Sequence, residues 1–149
     1  MQNKLTKTSL LTKILAILGT VLVWFPILAP FIFSLRALIN QQMFRFDYLI
    51  PAELFPVALT GGGLLVWAAL RARLHLRLIG WGLGVAAFLL VGGQVLAVVT
   101  GLASGEIEPA GTWWALVLAS ILGYSLALIV IGIGGVLLLR DLSRPAHIY

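Results

Sequence analysis

Long apolar runs alternate with short polar stretches along the whole chain. The runs cover residues 14–35, 54–70, 78–100 and 112–139. About 20 helical residues cross the hydrocarbon core of a bilayer, and about 17–25 are tolerated. The pattern therefore predicts an all-α bundle of four membrane-spanning helices, forming a single domain over residues 1–149. The last run is long enough to tilt or to project from the membrane.

The polar stretch between the second and third runs reads RARLHLR. Its alternation imitates a β-strand, but an unpaired strand at the lipid boundary would leave its backbone groups without hydrogen-bond partners. We interpret it as a short turn that makes the second and third helices antiparallel neighbours. Pro51 lies before the second run and Pro56 lies near its start, so Pro56 or its neighbours are expected in the first turn of the second helix.

The composition explains why lipid rather than water is the expected solvent. Hydrophobic residues make up 61% of the chain and charged residues 10%, against about 45–50% and 25% in soluble domains. A small soluble domain buries only about two-thirds of the surface of its unfolded chain, so one core cannot hide this much apolar surface. The absence of cysteine excludes disulfides, thiolate nucleophiles and cysteine metal sites.

The net charge of +5 comes from short basic groups rather than from one basic face, which argues against nucleic acid as a partner. If the N-terminus is cytoplasmic, the cytoplasmic segments hold eight of the ten Lys and Arg residues. These residues are Lys4, Lys7, Lys13, Arg71, Arg73, Arg77, Arg140 and Arg144. The positive-inside rule then predicts that both termini are cytoplasmic, in a bacterial-type plasma membrane with lipids as partners.

The polar segment after the first run differs from an ordinary linker. Residues 37–53 mix polar side chains with Phe, Tyr, Leu and Ile. We expect this amphipathic segment to lie along the outer headgroup region or to fold over the end of the bundle. The first run itself is too long for a signal-peptide core and lacks a following A-x-A-like site, so we expect a retained helix.

Small residues recur at four-residue spacing in the third and fourth runs. Such residues allow helix backbones to approach closely in lipid, where hydrophobic burial gives little driving force for association. The expected packing positions are Gly80, Gly84, Ala115, Ala119, Gly123, Ala127 and Gly135. They can serve packing within one bundle or contacts between copies, and the sequence does not separate the two.

Pro26 and Pro30 lie inside the first apolar run. Each removes a backbone donor and obstructs the carbonyl four residues earlier, so the first helix is expected to kink beyond Leu22. One interpretation is a hinge or an unwound site with free carbonyls. The other is a static kink that neighbouring helices satisfy.

Polar side chains at membrane depth are the candidates for binding a ligand, because they are costly in hydrocarbon. Counted at 1.5 Å per residue, they lie roughly 9–18 Å below the outer boundary. If they face inward together, they form a shallow polar cavity with four charged residues at its mouth. The proposed lining is Thr60, Gln94, Ser120 and Tyr124, and the mouth is Arg36, Arg45, Asp47 and Glu53.

Reactive chemistry has little support in the sequence. No nucleophile-elbow, zinc-protease or phosphate-loop pattern occurs, and no cofactor or metal site is expected. We therefore predict a non-enzymatic membrane protein that acts through helix association, either as a homo-oligomer or as a subunit of a larger membrane complex. The alternative is a protein that binds or transports a lipid-like, amphipathic molecule through the outer cavity.

Overall fold

The computed structural model describes residues 2–41, 54–105 and 110–144. Within these ranges the chain forms four α-helices, and each is long and apolar enough to cross a membrane. The helices are α1 (Gln2–Gln41), α2 (Phe55–Ala72), α3 (Leu76–Val99) and α4 (Gly111–Ser143). The prediction of an all-helical fold with four apolar helices is confirmed for the described residues.

Helix α1 is longer than the apolar run that predicted it. It extends beyond residues 14–35 at both ends and remains helical across Pro26 and Pro30. A helix that has already nucleated propagates at little cost through good helix formers such as Lys, Gln and Leu. The side chain of Pro26 is fully buried. Of the predicted outer segment, residues 37–41 belong to α1, and residues 42–53 lie outside the described residues.

The turn between α2 and α3 is shorter than the basic stretch suggested. Helix α2 begins with Pro56 in its first turn and ends at Ala72, so three residues, 73–75, separate it from α3. Arg73 and His75 both have left-handed backbone angles, with φ of 54° and 53°. This conformation reverses the chain within three residues, and it costs a non-glycine residue roughly 1–2 kcal/mol.

The helices pack mainly as two hairpins. Helix α1 has its most extensive contact with α2, and α3 has its most extensive contact with α4. Helix α1 also packs against α4 and thereby joins the hairpins. The contact between α2 and α3 is smaller, although the turn connects them directly. We call the end of the bundle that carries this turn the turn end.

The core of the bundle consists of small and branched side chains that allow the helices to approach closely. Its fully buried members include Leu65, Ile79 and Ile131. Large apolar side chains on all four described helices face outward instead, as expected where lipid covers the surface. Helix α3 buries a smaller share of its residues than the other described helices.

Candidate functional site

Three of the predicted packing residues lie at contacts inside the bundle. A Cβ atom added to Gly135 would lie 2.5 Å from the Oγ1 atom of Thr20 on α1. A Cβ atom added to Gly123 would lie 2.8 Å from the Cδ1 atom of Leu89 on α3. Ala127 is buried. These residues therefore use their small size to pack α4 against its neighbours.

Ala115 and Ala119 are exposed at the other end of α4. Phe55, in the first turn of α2, has its ring centroid 6.5 Å from that of Tyr124. Ala119 and Ala115 precede Tyr124 by five and nine residues, or about 8 and 14 Å of helix. Helix α2 therefore begins below the level of both alanines.

Gly80 and Gly84 have open space where a side chain would be. Apart from the adjoining residues and backbone of α3 itself, no heavy atom of the described chain lies within 4 Å of a Cβ atom added to either glycine. The contact from α3 to α4 is made instead by Gly82, whose added Cβ would lie 2.8 Å from Ile131 Cγ1. The G-x-x-x-G pair on α3 thus has no packing partner within the described bundle.

A ridge of large side chains runs beside this glycine pair. Its members are spaced by three or four residues, so they share one face of the helix. Trp81 and Phe88 are both 76% exposed, and Val85 is 42% exposed. We define the α3 ridge as Arg77, Trp81, Val85 and Phe88.

The ridge separates two shallow grooves. The first, which we call the α3 groove, has a volume of about 580 Å³, and its floor is formed by Gly80 and Gly84. The second, which we call the α3–α4 groove, has a volume of about 590 Å³ and lies between the ridge and α4. Its lining is Arg77, Leu78, Trp81, Gly82, Val85, Ala127 and Val130.

Sequence reasoning identified Gly80 and Gly84 but missed the ridge. The available signal was the spacing of Trp81, Val85 and Phe88, which places bulky residues next to a G-x-x-x-G pair.

Two of the predicted polar lining residues are satisfied by their own helices. The hydroxyl of Thr60 donates to the Pro56 carbonyl at 2.7 Å, and that of Ser120 donates to the Leu116 carbonyl at 2.9 Å. Such hydrogen bonds to the preceding turn are common for hydroxyl side chains in helices. Neither hydroxyl therefore needs a ligand to satisfy it.

The remaining predicted lining residues face different environments. Gln94 is exposed on the surface of α3. Tyr124 is 2% exposed, and its hydroxyl has no hydrogen-bond partner in the described chain. At the predicted mouth, Arg36 is exposed on α1. Arg45, Asp47 and Glu53 lie outside the described residues.

Two side chains contact Asp141 at the turn end. The Nε2 atom of His75 lies 2.8 Å from Oδ2 of Asp141, and Nη1 of Arg144 lies 3.8 Å from Oδ1. The contact from His75 connects the α2–α3 turn to the C-terminal part of α4. Within the described ranges, no group of three or more His, Cys, Asp or Glu side chains is placed to hold a metal ion.

Comparison with known proteins gives no family assignment. No protein-family model, curated protein or solved structure matches this chain. The class that the fold supports is a membrane protein with four apolar helices. Any more specific function must be argued from the chain's own residues, and the α3 ridge with its two grooves is the most distinctive feature among them.

Proposed function

We propose that this protein is a non-enzymatic integral membrane protein that functions through helix association, and that its partner is a second copy of itself docked on α3. The observation that carries the proposal is the open space over Gly80 and Gly84. Both glycines are exposed or half-buried. They form the floor of a groove on the helix that is least covered by the rest of the chain.

Glycine at these positions makes the helix less stable, and packing against another helix would offset that loss. A glycine inside a helix is roughly 1 kcal/mol less favourable than alanine. In membranes, helix pairs use glycines four residues apart to bring their backbones into contact. Gly82 and Gly135 show inside the bundle that a glycine makes room for a neighbouring helix, since an added Cβ would meet a side chain of that helix at 2.5–2.8 Å. A second helix over Gly80 and Gly84 would give this pair the same use.

The α3 surface is suited to pairing with itself. In a two-fold symmetric dimer the same patch contacts itself, so each protrusion needs a matching depression nearby. The α3 ridge and the α3 groove lie side by side. The Trp81 and Val85 side chains of one copy would enter the groove of the other copy. Copies with the same membrane orientation would bring their α3 helices together in parallel.

The orientation in the membrane is part of the proposal. Exposed Arg71, Arg73, Arg77 and Arg140 lie in or near the turn end. Positive residues concentrate on the cytoplasmic side of membrane proteins. We therefore assign the turn end to the cytoplasm, with both termini on that side of a plasma membrane of bacterial type.

The dimer can be tested with a matched pair of leucine substitutions. We expect the wild-type protein to be a dimer in lipid nanodiscs and Gly84→Leu to be mainly monomeric, because leucine would fill the groove. Overpacking typically costs about 1–3 kcal/mol, which predicts a rise in the dissociation constant of about 5-fold to 150-fold. Subunit counting by single-molecule photobleaching would measure the change.

Gly63→Leu is the control for this experiment. Gly63 is also exposed, with nothing within 4 Å of an added Cβ, but it lies on α2. We expect this variant to dimerise like the wild type. A monomeric wild type, or equal dimerisation of the Gly84→Leu and Gly63→Leu variants, would refute the proposed interface.

The buried hydroxyl of Tyr124 supports a second candidate function. A buried hydroxyl without a partner costs roughly 1–3 kcal/mol, and a bound amphipathic molecule with a polar group could remove that cost. This candidate predicts that an amphipathic molecule co-purifies with the wild-type protein in mild detergent and is lost from Tyr124→Phe. Mass spectrometry of the extracted small molecules would measure it. Equal content in the two proteins would exclude a ligand held by this hydroxyl.

A further inference from the structure

The α3–α4 groove combines apolar walls with one cationic end. Its walls include Trp81 and Val85 from α3, and Ala127 and Val130 from α4. Arg77, in the first turn of α3, is the charged residue of the lining and is itself exposed. The lining of the groove is thus cationic at the turn end and apolar further along the bundle.

The length of the groove matches one leaflet of a membrane. Val85 follows Arg77 by eight residues, which corresponds to about 12 Å along a helix. Half of a typical hydrocarbon core is about 15 Å. A lipid acyl chain that lies in the groove would therefore cover most of one leaflet, with its headgroup at the level of Arg77.

The charges at the turn end favour an anionic headgroup. Asp141 is the acidic residue of the described chain at this end, and His75 and Arg144 already pair with it. Arg77 takes part in no ion pair with a described residue. A guanidinium group binds phosphate with two parallel hydrogen bonds. Among the described residues, nothing neutralises the Arg77 guanidinium group, which can therefore bind a lipid phosphate.

We infer that the α3–α4 groove is a binding site for an anionic phospholipid of the leaflet at the turn end. One acyl chain lies against Trp81, Ala127 and Val130, and Arg77 binds the headgroup phosphate. The site is distinct from the α3 groove that the proposed dimer uses, although the two grooves share Arg77, Trp81 and Val85 of the α3 ridge between them. One class of lipid would thus bind in one groove. A general attraction between basic residues and anionic lipids would not favour this groove over other surfaces near the arginines.

The test is native mass spectrometry of the full-length protein with added lipid. The two probes are phosphatidylglycerol and phosphatidylcholine with identical acyl chains. We expect the wild type to retain phosphatidylglycerol about fivefold more strongly, since a basic residue near the membrane surface contributes about that factor for an anionic lipid. Arg77→Gln should remove this preference. Arg71→Gln, which changes an exposed arginine outside the groove, should keep it.

A second pair of variants tests the groove itself. Val130→Trp should fill the groove and reduce retention of both lipids, while Val136→Trp should not. Val130 and Val136 lie on the same helix and are 40% and 48% exposed, but only Val130 lines the groove. Circular dichroism and size-exclusion chromatography would check that each variant folds.

Three results would overturn the inference. The first is equal retention of the two lipids by the wild type, and the second is equal headgroup preference in Arg77→Gln and Arg71→Gln. The third is loss of the dimer in Val130→Trp with unchanged lipid retention, which would assign the groove to a second copy of the chain. The Gly84→Leu variant separates the two proposals, because it should lose the dimer and keep the lipid preference.

Discussion

Gly135 lies where α4 meets both α1 and α2. A Cβ atom at this position would lie 2.5 Å from Thr20 Oγ1 and 3.1 Å from Leu65 Cδ1. Thr20 is held in place by its own hydrogen bond to the Ala16 carbonyl, at 2.7 Å. The side chains around Gly135 therefore have little room to move away from an added methyl group.

We predict that Gly135→Ala destabilises the protein although alanine is the better helix former. Because the neighbouring atoms have little room to move, we expect a cost in the upper part of the roughly 1–3 kcal/mol range of overpacking, which exceeds the roughly 1 kcal/mol that alanine contributes through helix propensity. Thermal unfolding in detergent should show a lower melting temperature. The control is Gly63→Ala, where the added methyl group meets open space and stability should be unchanged or increased. A Gly135→Ala variant as stable as Gly63→Ala would contradict this account of the crossing.

The sequence identified small residues but not the directions in which they face. Gly84 and Gly135 look alike in the sequence, yet Gly84 is exposed and Gly135 is buried. In a soluble helix, the change from apolar to polar side chains would reveal the buried face. In lipid both faces are apolar, so that signal is weak. The same ambiguity applies to Gln94. Its position along the helix gives its depth in the membrane, but it does not show whether the side chain faces the bundle or the lipid.

The α3–α4 hairpin has a register that cross-linking can check. Gly93 on α3 is buried, and a Cβ atom added there would lie 3.0 Å from the Cβ atom of Ser120 on α4. Disulfides place their Cβ atoms about 3.5–4.5 Å apart. A cysteine pair at these positions therefore needs only a small outward shift to form a bond.

We predict that the double variant Gly93→Cys/Ser120→Cys forms a disulfide within one chain under mild oxidation. The native chain contains no cysteine, so no competing thiol is present. Gln94→Cys/Ser120→Cys is the matched control, because Gln94 is exposed on α3. Proteolysis between the helices followed by non-reducing electrophoresis would show which pair is joined. Efficient joining of the control pair instead would mean that α3 is rotated from the described position.

The existence of the four described helices could be predicted from hydropathy, but the ends of α1 could not. Its helix continues past residues 14–35 into segments with Lys, Gln and Arg, where the apolar pattern stops but helix propensity does not. The turn was located correctly because basic residues interrupt the apolar runs only once in that region. Its three-residue length depends on the left-handed backbone of Arg73 and His75, which side-chain pattern does not reveal.

For the molecule as a whole, the proposed orientation in the membrane rests on the distribution of charge. We predict that the cysteine of an Arg73→Cys variant is protected from a membrane-impermeant maleimide in intact cells and becomes reactive after permeabilisation. A cysteine at Gly105, an exposed position in the turn after α3, should react in intact cells. The opposite pattern would reverse the proposed topology and place the α3–α4 groove in the other leaflet.

Self-association through α3 is the claim on which the proposed function depends. Its most direct measurement is oxidative cross-linking of the single-cysteine variant Gly84→Cys in native membranes, with Gly63→Cys as the control on α2. We predict a disulfide-linked dimer for the cysteine at position 84 and none for the cysteine at position 63. Absence of a dimer at position 84, or equal dimer formation at both positions, would contradict it.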